Sequence, residues 1–506
     1  MPSEHDAVMQ PHLTIDGAHH RAVIIGAGFG GLAVYRELLR VGVTDVRVLE
    51  RADDVGGAWW VNTYPGCACD VKSNLYSLSW APNPHWSRSY SPQAEIQRYL
   101  RHVSDEIGMT AATSFGTEVI ESRWDAATDV WRVSTTRGEI TADILVAASG
   151  ALTVPTLPEV EGFAEFTGEV VHTAQWPADL KLQGRRVAVV GTGASAIQVV
   201  PGIVDDVAEL TTFQRTPAWI TPRGDRGFGA RQEELFRRVP LAQKAVRGLI
   251  YARNEALALG FTRRPELMDF LSRVAVKHLA AQVADPALRA ELTPAYRFGC
   301  KRILSSDAFY PALQRPNARL ISSALARVDG STLIAADGQT AEVDLIVLAT
   351  GFDVAEPPSA EGIIDGDGIS LTTRWHGAPN AYLGTVVSGF PNLFLITGPN
   401  TGLGHTSMVY IIESQARYIA DAVRTMQARG WRTIDVRPEV QEAFNAEVDE
   451  LMQRTVWTNG SCQSWYQTPD GRVPTLWPGY TFQFRRRTRR FDPASYRVTT
   501  RAKVSV

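Results

Sequence analysis

A glycine-rich loop that closes an apolar strand and opens a helix occurs twice in this chain, and the repetition limits the fold more than any other feature. In RAVIIGAGFGG, Arg21 to Gly31, a β-branched strand runs straight into G-x-G-x-x-G and then into the helix-like LAVYRELLR. Gly26 permits the tight turn, Gly28 lets the backbone approach a pyrophosphate, and Gly31 lets the helix pack closely on the strand. Phe29 stands at the start of that helix, whose free N–H groups and positive dipole end face the phosphates. A second strand, VRVLE, ends in Glu50, a carboxylate placed to accept hydrogen bonds from a ribose. The pattern returns as G-x-G-x-x-A in RRVAVVGTGASA, Arg185 to Ala196. Thr192, Gly193, Ala194, Ser195 and Gln198 are there the candidate contacts of a second nucleotide. After its next strand comes TTFQRTP, in which Arg215, followed by Thr216, stands where the first copy has an acid. A cation there favours a 2′-phosphate, so the first site suits FAD and the second NADPH.

The ends of the two units repeat as well, DILVAASG (Asp143 to Gly150) matching DLIVLATG (Asp344 to Gly351). The expected fold class is α/β, with two Rossmann-like dinucleotide-binding domains, for FAD and NADP, the second inserted in the first. The expected boundaries are a tail over 1–20, an FAD-binding domain over 21–152 and 381–506, and an NADP-binding domain over 153–226 and 294–380. A helical lobe is expected over 227–293, where RQEELFRRV, PELMDFLSRVAVKHLAAQV and DPALRAEL carry helical periods. A chain of 506 residues with 44% hydrophobic and 21% charged residues is long enough for two or three cores. Its formal net charge of -3 provides no field for nucleic acid or an anionic membrane, which leaves small-molecule partners.

Between the units lies FTGEVVHTAQWP, Phe166 to Pro177. Gly168, His172 and Trp176 break it too often for a simple strand or an amphipathic helix, so it reads as a linker. Phe166 and Trp176 would anchor it by burying aromatic surface, Gly168 would let it bend, and His172 would hydrogen-bond across the domain junction. The stretch fits F-x-G-x-x-x-H-x-x-x-W-P throughout. Lying between two dinucleotide loops, it resembles the linker of the type I Baeyer-Villiger monooxygenases, a group of class B flavoprotein monooxygenases. A second segment, GGAWWVNTYPGCACD (Gly56 to Asp70), looks like that family's G-G-x-W-x(4)-[FY]-P-G-x(3)-D. The resemblance runs from about Arg21 to Phe491.

The resemblance implies an enzyme that uses FAD, NADPH and dioxygen to turn a ketone into an ester or lactone through a flavin 4a-peroxide held as its anion. It places Gly57, Trp59, Tyr64, Asp70, Tyr76, Val119 and Met408 near the FAD. In GCKRILSSDAFYPAL, Gly299 to Leu313, Arg302 matches the active-site cation and also meets NADP, while Lys301 would reach the 2′-phosphate beside Arg215. Asp70 matches the carboxylate that orients Arg302 by bidentate bonding. An arginine suits this task, because it stays charged and its planar donors hold an anion without surrendering a proton.

Four cysteines in so long a chain form no disulfide framework, in keeping with a reducing compartment. Cys67 and Cys69 read as unpaired fillers. No cysteine or histidine cluster has metal-ligand spacing, so no metal is expected. The N-terminal stretch shows no apolar signal region and no apolar run is long enough to span a membrane, so a cytoplasmic protein is the expectation. Two other readings stay open at this point: a flavin monooxygenase acting on soft nitrogen or sulfur, and a non-catalytic FAD protein that responds to redox state. Neither the particular substrate nor the oligomeric state is written in the sequence.

Overall fold

Parallel strands rich in Val and Ile need cover on both faces, and the strand that precedes each glycine loop obtains it. In the computed structural model, which describes residues 15–150, 152, 154–352 and 358–500, His19–Ile25 lies between Gly138–Ala147 and Val46–Leu49, parallel to both. Thr113–Ser114 extends this sheet beyond Val46–Leu49, and Leu393–Leu395 pairs with the end of Gly138–Ala147. On one face, helix Phe29–Arg40 packs on helix Met408–Arg429, with Leu32, Val34 and Leu38 sharing a core with Ile411, Ile419 and Val423. On the other, the antiparallel meander Val119–Asp125, Val130–Thr135, Gly138–Ala147 encloses Trp124 and Trp131, whose rings are 5.6 Å apart. Residues 1–14 of the expected tail lie outside the described residues.

The second sheet is parallel throughout, in the order Ala318–Ile321, Glu209–Phe213, Arg186–Val190, Leu345–Leu348, Glu169–His172. Its edge corrects the reading of Phe166–Pro177 as too broken for a strand. Four of its residues, Glu169–His172, pair with Leu345–Leu348, and a 3-10 turn, Thr173–Gln175, follows. An edge strand needs only one partner and one buried face, so a four-residue stretch suffices and the flanking Gly168 and Trp176 fall outside it.

Between the halves of the second unit stand helices Ala230–Arg238, Pro240–Thr262, Glu266–Gln282 and Pro286–Glu291. The chain rejoins the first sheet well before residue 381. Ile363–Ile364 pairs with Ser122–Arg123, and Leu371 and Trp375 enter the core around Trp131. A two-residue strand carries no readable period, which is why nothing in the amino-acid pattern marks the earlier crossing. No helix among the described residues is long and apolar enough to cross a membrane.

Candidate active site

Each glycine loop is shaped by contacts that a side chain would break. Gly26 has φ +102°, and a Cβ there would come within 2.7 Å of the Ala148 carbonyl; at Gly31 it would come within 2.1 Å of the Gly26 carbonyl. Gly28 and Gly57 face one another across the loop, where a Cβ on Gly57 would approach the Gly28 Cα to 3.2 Å. No side chain caps the Phe29–Arg40 helix at Gly28, leaving its first N–H groups for an anion. Buried Glu50 accepts from the Ala27 N–H at 2.8 Å and the Ala52 N–H at 2.9 Å. It therefore shapes the loop as well as standing at the strand end where a ribose is expected. Thr117 donates its N–H to the Glu50 carbonyl at 2.9 Å, which brings the start of the Val119 strand to the same end of the sheet.

Aromatic residues line the adjoining wall. The Trp59 indole donates to the Tyr76 hydroxyl at 3.0 Å, and Tyr76 meets the buried Phe29 ring edge-on at 5.2 Å. Tyr64 behaves differently from the expectation of a cofactor wall. It is buried in the core of the second unit and donates to the Gln198 side-chain oxygen at 3.1 Å. Gln198 also accepts from the Ala68 N–H at 3.2 Å and donates to the Ala68 carbonyl at 3.0 Å. Its half-buried amide thus stitches the 56–70 segment to the second glycine loop. The loop itself leaves Gly193 and Ala194 exposed, and a Cβ at Gly193 would meet nothing within 4 Å. The Thr192 hydroxyl donates to the Thr216 carbonyl at 2.9 Å, and Ser195 precedes helix Ala196–Ile203 without capping it by its side chain.

Arg215 and Lys301 converge. Lys301 is half-buried over the Tyr296 ring, 5.1 Å from its centre, and burial, then the nearby Arg215 charge, holds its pKa below the usual lysine range. Two cations in one another's field, with neither in an ion pair with a carboxylate among the described residues, suit a dianion. Arg302, the next residue, is paired with Asp70: Nε and Nη2 both donate to Asp70 Oδ2, at 3.0 and 2.8 Å, and Nη1 donates to the Leu403 carbonyl at 3.0 Å. Both N–H groups meet one oxygen, which corrects the expected fork over two. The rest of the guanidinium is held by the backbone of the 398–407 loop. The Asp70 charge raises the Arg302 pKa further above its ordinary value, so the site keeps a fixed cation across the working pH range.

The linker residues are placed less as expected. His172 is buried, and its Nδ1 accepts from the Ala174 N–H at 3.1 Å. This bond caps its own turn, because the chain reverses direction immediately after the strand, while the ring also meets Phe352 edge-on at 5.9 Å beside Gly351, where the second unit ends. Burial pushes the His172 pKa down, which keeps the ring neutral. Phe166 packs against the core around Phe213 and Ile321, and Trp176 against the core of the second unit. The Trp176 carbonyl accepts from the Thr63 hydroxyl at 3.5 Å, a link to the 56–70 segment. Met408, half-buried, begins the helix whose cap, Ser407, accepts from the Val409 N–H at 3.3 Å.

Two features have no forerunner in the sequence. His405, in the 398–407 loop, lies 3.1 Å from the buried Glu255 of the helical insertion, which also accepts from the Thr481 N–H at 3.0 Å and hydroxyl at 2.7 Å. Cys300 and Cys462 are joined by a disulfide with their Cα atoms 6.3 Å apart, against the expectation of none; residues 162 positions apart give no spacing by which to foresee a pair. Cys67 and Cys69 are free and buried, and burial pushes the Cys67 thiol up to about 11. Among the described residues no cluster of His, Cys, Asp or Glu is arranged to hold a metal ion.

Two glycine loops, an uncapped helix start beside each, and an arginine fixed between them define a flavoprotein oxidoreductase that also holds a nicotinamide nucleotide. The family described as pyridine nucleotide-disulphide oxidoreductase matches residues 23–227. A Baeyer-Villiger monooxygenase of Streptomyces coelicolor is 48% identical over 489 residues, 96% of this chain and 94% of the relative. One of Pseudomonas aeruginosa is 44% identical over 95% of this chain and 92% of its own length. The crystal structure of OTEMO in complex with FAD and NADP superposes with a TM-score of 0.85 at 25% identity, covering 96% of this chain and 100% of the other. The chain belongs to the Baeyer-Villiger monooxygenase family and is an FAD- and NADPH-dependent flavoprotein monooxygenase.

Proposed function

We propose that the protein inserts one oxygen atom beside the carbonyl of a ketone to give an ester or lactone, with NADPH, a proton and dioxygen consumed and NADP+ and water released. The observation that carries this reading is the Arg302 guanidinium, fixed on Asp70 and on the Leu403 carbonyl with donors to spare. Adding an oxygen nucleophile to a carbonyl builds negative charge on the oxygens, and a preorganised cation that does not release its proton favours that charge.

The residues fit both cofactors. The first loop with Gly26, Gly28, Gly31 and Gly57 would offer a backbone cradle for the FAD pyrophosphate, Glu50 would lie at the ribose end, and Phe29, Trp59 and Tyr76 would form an aromatic wall. Gly193, Ala194 and the start of helix Ala196–Ile203 would take the NADPH pyrophosphate, and Arg215 with Lys301 its 2′-phosphate. FAD, when bound, carries the electrons of NADPH to dioxygen. Asp70 orients Arg302 and keeps it charged, while the 398–407 loop sets its reach. The helical insertion, tied to that loop through Glu255 and His405, shapes the ketone pocket.

The test is a product screen of purified, FAD-loaded protein with NADPH and isotopically labelled dioxygen. Linear, cyclic, aryl and bulky polycyclic ketones are compared with a thioether. One labelled oxygen in an ester or lactone is the expected result. Oxygenation of the thioether alone contradicts the ketone reading.

A further inference from the structure

The disulfide joins the active site to a segment that the glycine-loop architecture does not require. Cys300 stands two residues before Arg302 and is fully buried, whereas Cys462 is half-buried, so a small thiol reaches the bond from the Cys462 side. Around the bond the contact is close: the Gly460 carbonyl accepts from the Arg297 N–H at 3.2 Å, and a Cβ at Gly460 would meet the Cys300 sulfur at 2.5 Å.

The far end of the same segment is latched to the loop that holds Arg302. The Asn400 N–H donates to the Pro474 carbonyl at 2.6 Å, the Gly402 N–H to the Thr475 carbonyl at 2.8 Å, and the Trp477 N–H to the Gly402 carbonyl at 2.8 Å. The next residue, Leu403, supplies the carbonyl that takes Arg302 Nη1. Between the two attachments Tyr466 is buried, its carbonyl accepting from the Thr475 hydroxyl at 3.0 Å, and Trp465 packs its half-exposed ring 4.3 Å from it. Burial pushes the Tyr466 phenol up to about 12, with the charges of Arg302 and Asp70 acting on it in opposite directions. Tyr466 also shares a core with Phe298 and with Ile303, the residue that follows Arg302, which sets its ring beside the Arg302 segment.

We propose that the Cys300–Cys462 bond is a thiol–disulfide switch that seats the 460–477 segment, and with it Tyr466, against Arg302, so that its redox state sets how NADPH-derived electrons divide between oxygenated product and hydrogen peroxide. Opening the bond leaves the latch at 473–477 and the packing of Tyr466 in place and removes the one covalent tie at the other end, so the change is a local loosening of the segment rather than its release. Chemically, a dithiol reductant attacks Cys462 Sγ, expels the Cys300 thiolate, and closes on itself as a disulfide to release Cys462. Two electrons and two protons pass to the protein, which ends with two thiols. Hydrogen peroxide reverses the change, two thiols and one peroxide giving the disulfide and two waters.

The inference rests on the reading of Arg302 as the reacting cation, and the experiment separates the two. FAD-loaded wild type is assayed before and after dithiothreitol, with alkylation and intact mass recording the opening of the bond. Product and hydrogen peroxide are measured against NADPH consumed. The reduced enzyme is expected to keep its FAD and its rate of flavin reduction while the peroxide share rises by about threefold or more, and reoxidation is expected to reverse this. Cys462→Ser should show the raised peroxide share from the outset and ignore dithiothreitol. Tyr466→Phe should show it with the disulfide intact. An unchanged partition in the reduced wild type, or in Tyr466→Phe, overturns the switch. If Arg302→Ala still forms product, the reading of Arg302 falls and the switch falls with it. If Arg302→Ala loses product while the reduced wild type is unchanged, the switch alone is wrong.

Discussion

At the scale of single residues the site divides between side chains that the sequence could announce and backbone groups that it could not. Asp70 and Arg302 are 232 positions apart yet share a hydrogen-bonded pair, and both were legible because each closes or carries a motif with its own spacing. The Leu403 carbonyl that completes the clamp is a main-chain acceptor, identical in every residue, so no letter marks it. Gln198 carries a role that its position does not announce: its amide bonds Tyr64 and Ala68 and so ties the 56–70 segment to the second loop. For the coenzyme, replacing Arg215 and Lys301 together with Ala removes charge-assisted bonds worth about 1.5 to 3 kcal/mol each. The NADPH Michaelis constant should rise at least about tenfold, with that for NADH nearly unmoved. Equal losses with both coenzymes would show that these cations do not read the 2′-phosphate.

At the scale of elements, the strand–loop–helix units were readable from apolar runs, glycine spacing and helical period, while short edges were not. Glu169–His172 and Ile363–Ile364 are too brief to show a period, and pairing with a strand distant in sequence decides them. The 56–70 segment is explained by contact: Gly66 has φ +81°, and a Cβ there would lie 2.5 Å from the Gln198 carbonyl. Gly66→Ala should therefore destabilise the protein by about 2 kcal/mol or more, read as a lower unfolding midpoint with the variant's FAD content measured alongside. An unchanged midpoint would mean that this approach does not hold the segment to the second loop.

His172 gives the linker a pH signature. Its folded-state pKa lies below the unfolded value, so the unfolded chain binds the extra proton first as the pH falls. Its contribution is fully present above about pH 6.5 and is lost as the pH drops toward the depressed folded value. His172→Gln should flatten that part of the stability profile in denaturant titrations at pH 5 and pH 8. An equally steep loss in the variant would place the acid sensitivity elsewhere.

At the scale of the whole molecule, the two sheets are joined by the 56–70 segment lying on helix Ala196–Ile203, by Arg302 reaching Asp70 and Leu403, and by the Cys300–Cys462 bond. The doubled glycine loop made the two-unit plan legible. The disulfide and the His405–Glu255 tie were not, because both are products of folding distant segments together. On the proposed function, this assembly holds one cation where negative charge develops. Arg302→Ala tests it most directly, with flavin reduction followed by stopped flow and with ester or lactone and hydrogen peroxide measured at the end of turnover. FAD should be retained, reduction by NADPH should persist, and product should fall by a factor equivalent to about 3 kcal/mol or more, with electrons diverted to peroxide. Arg302→Lys should recover part of the product, since it keeps the charge but not the planar donors. A normal ester or lactone yield from Arg302→Ala would remove this guanidinium from the chemistry.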